Sequence, residues 1–293
     1  MLRKLRVVAR FIRIFTALIL CAGLGMVAHL RLVTPVSAMS PVPVVESTAI
    51  TRVRSQAAQY TQAMNTIVSL GTTPVRTATD VTRTVAQIKK LDAPLATGFS
   101  KRLTVIALDN PTFKQAIQQE TAKLGPKIFY DRVLSNPKIL LNFRGSSEIS
   151  QAINRQVQGD VAKLKKTSAY LNQAAALRGR AQNRTATKSE LIHSNHASMV
   201  VPQGGVGEAL IIAALVGAAV LLIGSYAAIL SKGHEVPPAT EDNPNPISPV
   251  AKCIDEAIAR RDRCLDRSDF WGDLACAAIY LADRADCLFL PQA

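Results

Sequence analysis

The sequence predicts a mainly α-helical, membrane-attached protein, and three observations predict it. Through most of residues 44–188, apolar side chains recur at alternating steps of three and four, the period that places them on one helix face. Aromatics make up only 5% of a chain that is 48% apolar, a balance suited to helices packed by small and aliphatic side chains rather than to sheets. Two uninterrupted apolar runs, at 14–28 and 209–230, are the third observation. The expected organisation is a signal peptide (1–38), a basic helical extracytoplasmic domain (39–188), a tether (189–208), one transmembrane helix (209–230), a Pro-rich linker (231–249) and a four-cysteine α-hairpin with disulfides (250–290).

The first segment has the three parts of a signal peptide. Arg3, Lys4, Arg6, Arg10 and Arg13 precede the apolar stretch Ile14 to Ala28, and Val36-Ser37-Ala38 puts compact residues at −3 and −1, so cleavage is expected after Ala38. A lipid-attachment reading of Cys21 fails, because Leu20 stands where a small residue is needed and the apolar run continues past it. The alternative is an organellar transit peptide: Arg3, Arg6, Arg10 and Arg13 share a helical face and no acid precedes Glu46. The continuous apolar core favours secretion, since transit helices are amphipathic throughout. An uncleaved anchor is the third option.

In the domain that follows, Ile50, Val53, Ala57, Tyr60, Met64 and Ile67 define a first helix ended by Gly71 and Pro74. Val81, Val85, Ile88 and Leu91 define a second that stops before Asp92 and Pro94. Asp109-Asn110-Pro111 and Ser135-Asn136-Pro137 both read as helix entries, a capping side chain ahead of a first-turn proline. Five of this domain's seven aromatics lie between Phe99 and Phe143, which marks the expected core. After Gly145, Ser146 and Ser147 are positioned to cap a long helix striped by Ile149, Ile153, Val157, Val161, Leu164, Leu171 and Ala175. Beyond it the periodicity is lost. Asn183-Arg184-Thr185 is a glycosylation sequon, meaningful only in a eukaryotic secretory pathway.

The run from Ala209 to Leu230 holds 22 residues and no charge. At about 1.5 Å per residue it is long enough to cross a bilayer core. Within it Ala213, Gly217 and Gly224 recur on roughly one face, a smooth strip where another helix could approach and a route to a homo-oligomer. The bland alternative is a buried core helix.

Charge is unevenly placed. Residues 1–38 carry six Lys/Arg and no acid, residues 39–203 a net +13, and residues 204–293 a net −5. No zinc-finger, RNP-type or basic-zipper pattern accompanies the basic part, so nucleic acid is an unlikely partner and membrane lipid, an envelope protein or an anionic polymer is expected instead.

No catalytic or cofactor-binding residue is expected, and no metal. G-x-S-x-G, H-E-x-x-H and phosphate-cradling glycine loops do not occur, and the middle region is sparse in carboxylates. His193 and His196 have an H-x-x-H spacing but no cysteine or acid at metal-ligand distance in sequence. The chain therefore reads as a non-enzyme.

The constellation with chemical content is C-x10-C-x11-C-x10-C, formed by Cys253, Cys264, Cys276 and Cys287. Eleven residues are about three helical turns, so each pair lies on one face of its helix. A turn at Ser268 to Gly272 then brings Cys253 opposite Cys287 and Cys264 opposite Cys276. Zinc prefers shorter spacings, so two disulfides are expected, stapling a unit of some 40 residues too small to hold itself. The spacing is similar to that of the twin C-x9-C hairpins of mitochondrial intermembrane-space proteins, each gap being one residue longer.

These readings conflict at one point. A cleaved signal peptide followed by one span puts the cysteines in the cytosol, where disulfides rarely persist. The tail is then reduced, or the second segment does not cross, or the chain is an organellar inner-membrane protein with its tail in an oxidising space. The favoured location is a single-pass membrane with the N-terminal domain exported. The favoured role is structural or interaction, with a membrane-inserting, pore-forming protein as the alternative.

Overall fold

The computed structural model describes residues 48–183, 207–230 and 249–288. The signal segment with Ala38 and Cys21, the histidine pair and most of the linker lie outside them. The described residues are mainly helical, contain no strand, and belong to one compact unit, Glu46–Ala293. The helices are α1 (Thr48–Leu70), α2 (Ala78–Lys90), α3 (Asp92–Leu108), α4 (Pro111–Leu124), α5 (Pro126–Ser135), α6 (Ser146–Asn183), α7 (Glu208–Leu230), α8 (Pro249–Leu265) and α9 (Gly272–Cys287), with a 3-10 helix at Pro137–Asn142.

Helix α1 buries Ile50, Val53, Ala57, Tyr60, Met64 and Ile67, the stripe read from its spacing. Helix α2 starts at a capping box: the Thr77 hydroxyl accepts from the Asp80 amide at 3.2 Å, and the Asp80 carboxylate accepts from the Thr77 amide at 2.9 Å.

The second helix stops before Asp92 and Pro94 as expected, and a new helix starts there at once. Leu91 closes α2 and opens α3, and Pro94 falls in the first turn of the new helix, where an absent N–H costs no intrahelical bond. Helix α3 then runs through the middle of the bundle, against α1 on one side and α7 on the other. Gly98 permits its close approach to α1: a Cβ there would lie 2.6 Å from Tyr60 Cβ and 2.8 Å from the Gln56 carbonyl oxygen. Gly98→Ala is accordingly expected to destabilise the fold by about 1–3 kcal/mol through overpacking. An unchanged melting midpoint by circular dichroism would show that the two helices part freely.

The two Asn-Pro entries differ. At Asn110 the side-chain oxygen accepts from the Phe113 amide at 2.8 Å and Pro111 occupies the first turn of α4. At Asn136 the side chain makes no cap, and Pro137 opens the six-residue 3-10 helix instead. The cap at Asn110 also explains Gly145 (φ +89°), whose missing Cβ would meet the Asn110 Oδ1 at 2.5 Å and the Phe113 amide at 2.8 Å. The rings of Phe113, Phe129 and Phe143 gather beside this corner, 5.8 and 6.3 Å apart by centroid. They are one part of the core rather than its centre, which extends through all nine α-helices.

Helix α6 buries Ile149, Ile153, Val157, Val161, Leu164 and Leu171. Two of its polar side chains tie it to neighbours: the Thr167 hydroxyl donates to the Ile67 carbonyl (2.9 Å), and Tyr60 donates to the buried Asp160 (2.8 Å).

Candidate functional site

Two features bear on what this protein does: the apolar helix α7 and the seat of the α8–α9 hairpin.

Helix α7 is the one described helix long and apolar enough to span a membrane. It packs against α3, α4, α5 and the 3-10 helix, with a lighter contact to α6. Its inner side, including Ile211, Leu215, Ala218, Ala219, Leu222 and Ile223, is buried among them. Gly217 meets α3 closely, since a Cβ there would stand 2.9 Å from the Thr104 hydroxyl and 3.7 Å from Thr104 Cβ. Of the expected small-residue strip, then, Gly217 contacts a helix of its own chain. Ala213 is exposed and Gly224 has open space where a side chain would be.

The outward side of α7 is only partly covered. Ile212, Val216, Val220 and Gly224 are half-buried and Ala213 is exposed, with no charged residue between Glu208 and the helix end. A bundle helix that faces water normally carries polar residues on that side. This one does not.

The hairpin is not a free-standing tail: it packs along α6 and also touches α2 and α3. Its four cysteines stand at disulfide distance in the nested pairs, with Sγ–Sγ of 1.96 Å for Cys253–Cys287 and 1.90 Å for Cys264–Cys276. The residues read as a private hairpin core serve two purposes. Ile254, Ala257 and Leu288 are buried, Ile258, Leu265 and Ile279 are half-buried, and Tyr280 turns towards α3.

At that junction lies a buried polar cluster that spacing alone did not show. Arg261 of α8, its side chain 4% exposed, donates to the Asp92 carboxylate at the start of α3. Tyr280 of α9 donates its hydroxyl proton to the other Asp92 oxygen and accepts from Arg284 at 2.6 Å. The Arg261 and Arg284 guanidinium carbons stand 4.8 and 5.8 Å from the Tyr280 ring centroid, a doubled cation–π contact. Burial holds the Tyr280 phenol well above its ordinary range, with the nearby Asp92 carboxylate acting in the same direction and Arg284 against it. Burial likewise raises the Tyr60 phenol, and the adjacent Asp160 carboxylate adds to it.

Further contacts fasten the hairpin around this centre. The Ser168 hydroxyl donates to the Ala278 carbonyl at 2.8 Å, Lys165 pairs with Asp286 at 3.7 Å, and the Arg178 guanidinium lies 5.7 Å from the Trp271 ring centroid. The residues that could have revealed the cluster were visible as two arginines and a tyrosine on otherwise apolar hairpin faces, but nothing in the local spacing pointed to Asp92, 169 positions before Arg261.

Among the described residues no group of three or more His, Cys, Asp or Glu side chains could hold a metal ion. The fold and site thus define a class, a disulfide-bearing helical bundle that incorporates an apolar, span-length helix. Compared with family models, curated proteins and solved structures, the chain matches none.

Proposed function

We propose that this is a non-enzymatic, membrane-associating protein of the cell envelope. In its folded form α7 is held in the bundle, and on release α7 enters lipid. The observation that carries this reading is the uncharged, half-uncovered outer side of α7. Water is a poor solvent for such a face, and a bilayer is a good one. The seat of the hairpin supports the stored form: residues on both sides of α7 in sequence meet in the Asp92–Arg261–Tyr280 cluster, which requires them to share one side of any membrane.

A permanent single-pass anchor is the second reading, favoured by the 23-residue length of α7. It would place Asp92 and Arg261 on opposite sides and leave each charge without the other.

A cross-link separates the two. The 3.7 Å between the Gly217 Cβ position and Thr104 Cβ suits a disulfide. In the Thr104→Cys, Gly217→Cys variant the bond is expected to form readily. The oxidised protein should then be released from host membranes by sodium carbonate, while the mildly reduced form stays in the pellet. The parent protein under the same reductant serves as control. If the bond cannot be formed in native membranes, α7 is already spanning and the anchor reading stands. If the locked form also resists extraction, α7 is not the inserting element.

A further inference from the structure

We infer that helix α5, with the corner joining it to α4, forms a docking surface for anionic lipid beside the uncovered face of α7. It rests on the membrane-associating role proposed above and names the lipid chemistry involved.

Three observations converge on this ten-residue helix. It packs directly on α7. It carries two of the five exposed large apolar side chains among the described residues, Ile128 at 62% and Leu134 at 51% exposure. Single exposed apolar residues are common on protein surfaces, so their weight here comes from the helix they share with basic side chains.

The third observation is charge. Lys123, Lys127, Arg132 and Lys138 stand here, all exposed, and three acids face them: Asp131 on Lys127 at 2.7 Å, Glu120 on Arg132 at 3.7 Å and Glu208 on Lys138 at 3.2 Å, so the local balance is positive by one. The corner itself turns at Gly125 (φ +84°), where a Cβ would meet nothing within 4 Å, so Lys123, Lys127 and Ile128 flank an open, projecting turn. Lys127 donates to Asp131 at 2.7 Å, and that contact raises the lysine's pKa.

The acidic hairpin, by contrast, is seated on α6, α2 and α3. Residues 250–288 hold eight Asp/Glu and six Lys/Arg, and two of those arginines, Arg261 and Arg284, are buried. The molecule therefore presents unlike charge on different helices. An anionic bilayer would draw in α5 and hold off the hairpin, orienting α7 towards lipid. Exposed apolar side chains on a helix that also carries lysines match this partner, since Ile128 and Leu134 would enter the acyl boundary while the ammonium groups stay at the headgroups.

The test is flotation of the full-length chain with vesicles of phosphatidylcholine alone and of equal parts phosphatidylcholine and phosphatidylglycerol. The N-terminal Arg3–Arg13 cluster is itself basic, so variants rather than the parent decide the outcome. Lys123→Gln with Lys127→Gln should weaken binding to the anionic vesicles by about fivefold per lysine. Ile128→Ser with Leu134→Ser should weaken it about tenfold or more.

Arg83→Gln with Lys90→Gln on α2 removes the same charge elsewhere and should change little. If that control pair weakens binding as much as the α5 pair, net charge rather than this surface is responsible and the inference fails. Equal flotation of parent and all variants with both vesicle types also overturns it, while leaving membrane association intact. No flotation with either vesicle removes both.

Discussion

Replacing Asp92 with alanine is expected to cost about 3–5 kcal/mol of folding stability, the usual consequence of breaking a buried ion pair from one side. Arg261 is almost completely enclosed and would keep its charge. Its one other close acid is the half-exposed Asp262, at 2.9 Å. Tyr280 would lose the acceptor of its hydroxyl proton at the same time, adding an unsatisfied buried donor.

The measurement is urea unfolding followed by far-ultraviolet circular dichroism. A double variant, Asp92→Leu with Arg261→Met, should recover much of the loss, because an apolar pair of similar volume avoids the desolvation that the charges impose. If Asp92→Ala loses less than about 1 kcal/mol, the cluster is no more than a surface pair in its energetics and does not fix the hairpin.

The second large effect is expected from the disulfides. The outer pair closes a sequence separation of 34 and the inner one a separation of 12. The chain-entropy account then assigns about 4 kcal/mol to the first and about 3 kcal/mol to the second, with the sum reduced because one loop lies inside the other. Cys253→Ser with Cys287→Ser should therefore shift the urea midpoint downwards somewhat more than Cys264→Ser with Cys276→Ser does. Identical midpoints with and without full reductant would show that the cysteines are not cross-linked in the protein as made.

How much of this was legible in the sequence depends on the range of the contact involved. The stripe on α1, the stripe on α6 and the fold-back of the hairpin follow from repeats within one helix or across one short turn, so spacing reveals them. The nested pairing of Cys253 and Cys287 is an instance, since a hairpin's register follows from its own turn. Helix α3 was missed because Pro94 signals a stop in most contexts but is harmless in a first turn, and only the restart at Leu91 shows which applies.

The position of α7 was illegible for a different reason. An all-apolar helix gives the same pattern whether lipid or protein surrounds it, and the decision rests on the shapes of α3, α4 and α5. The polar cluster needed three helices far apart in sequence, and no local rule links Asp92 to Tyr280.

That separation bears on how the protein is made. Tyr60 finds Asp160 across 100 positions, Arg261 finds Asp92 across 169, and Tyr280 finds Asp92 across 188. Contacts of such range form late, because a long loop must close before any of them contributes. As the chain emerges from its N-terminus, the surfaces of α2, α3 and α6 that receive the hairpin stay bare until the last forty or so residues follow. During that interval Asp92 has neither Arg261 nor Tyr280, the hairpin thiols have not yet met, and α7 has already been synthesised. The order of synthesis thus leaves Asp92 without its hairpin partners until the hairpin closes over its seat.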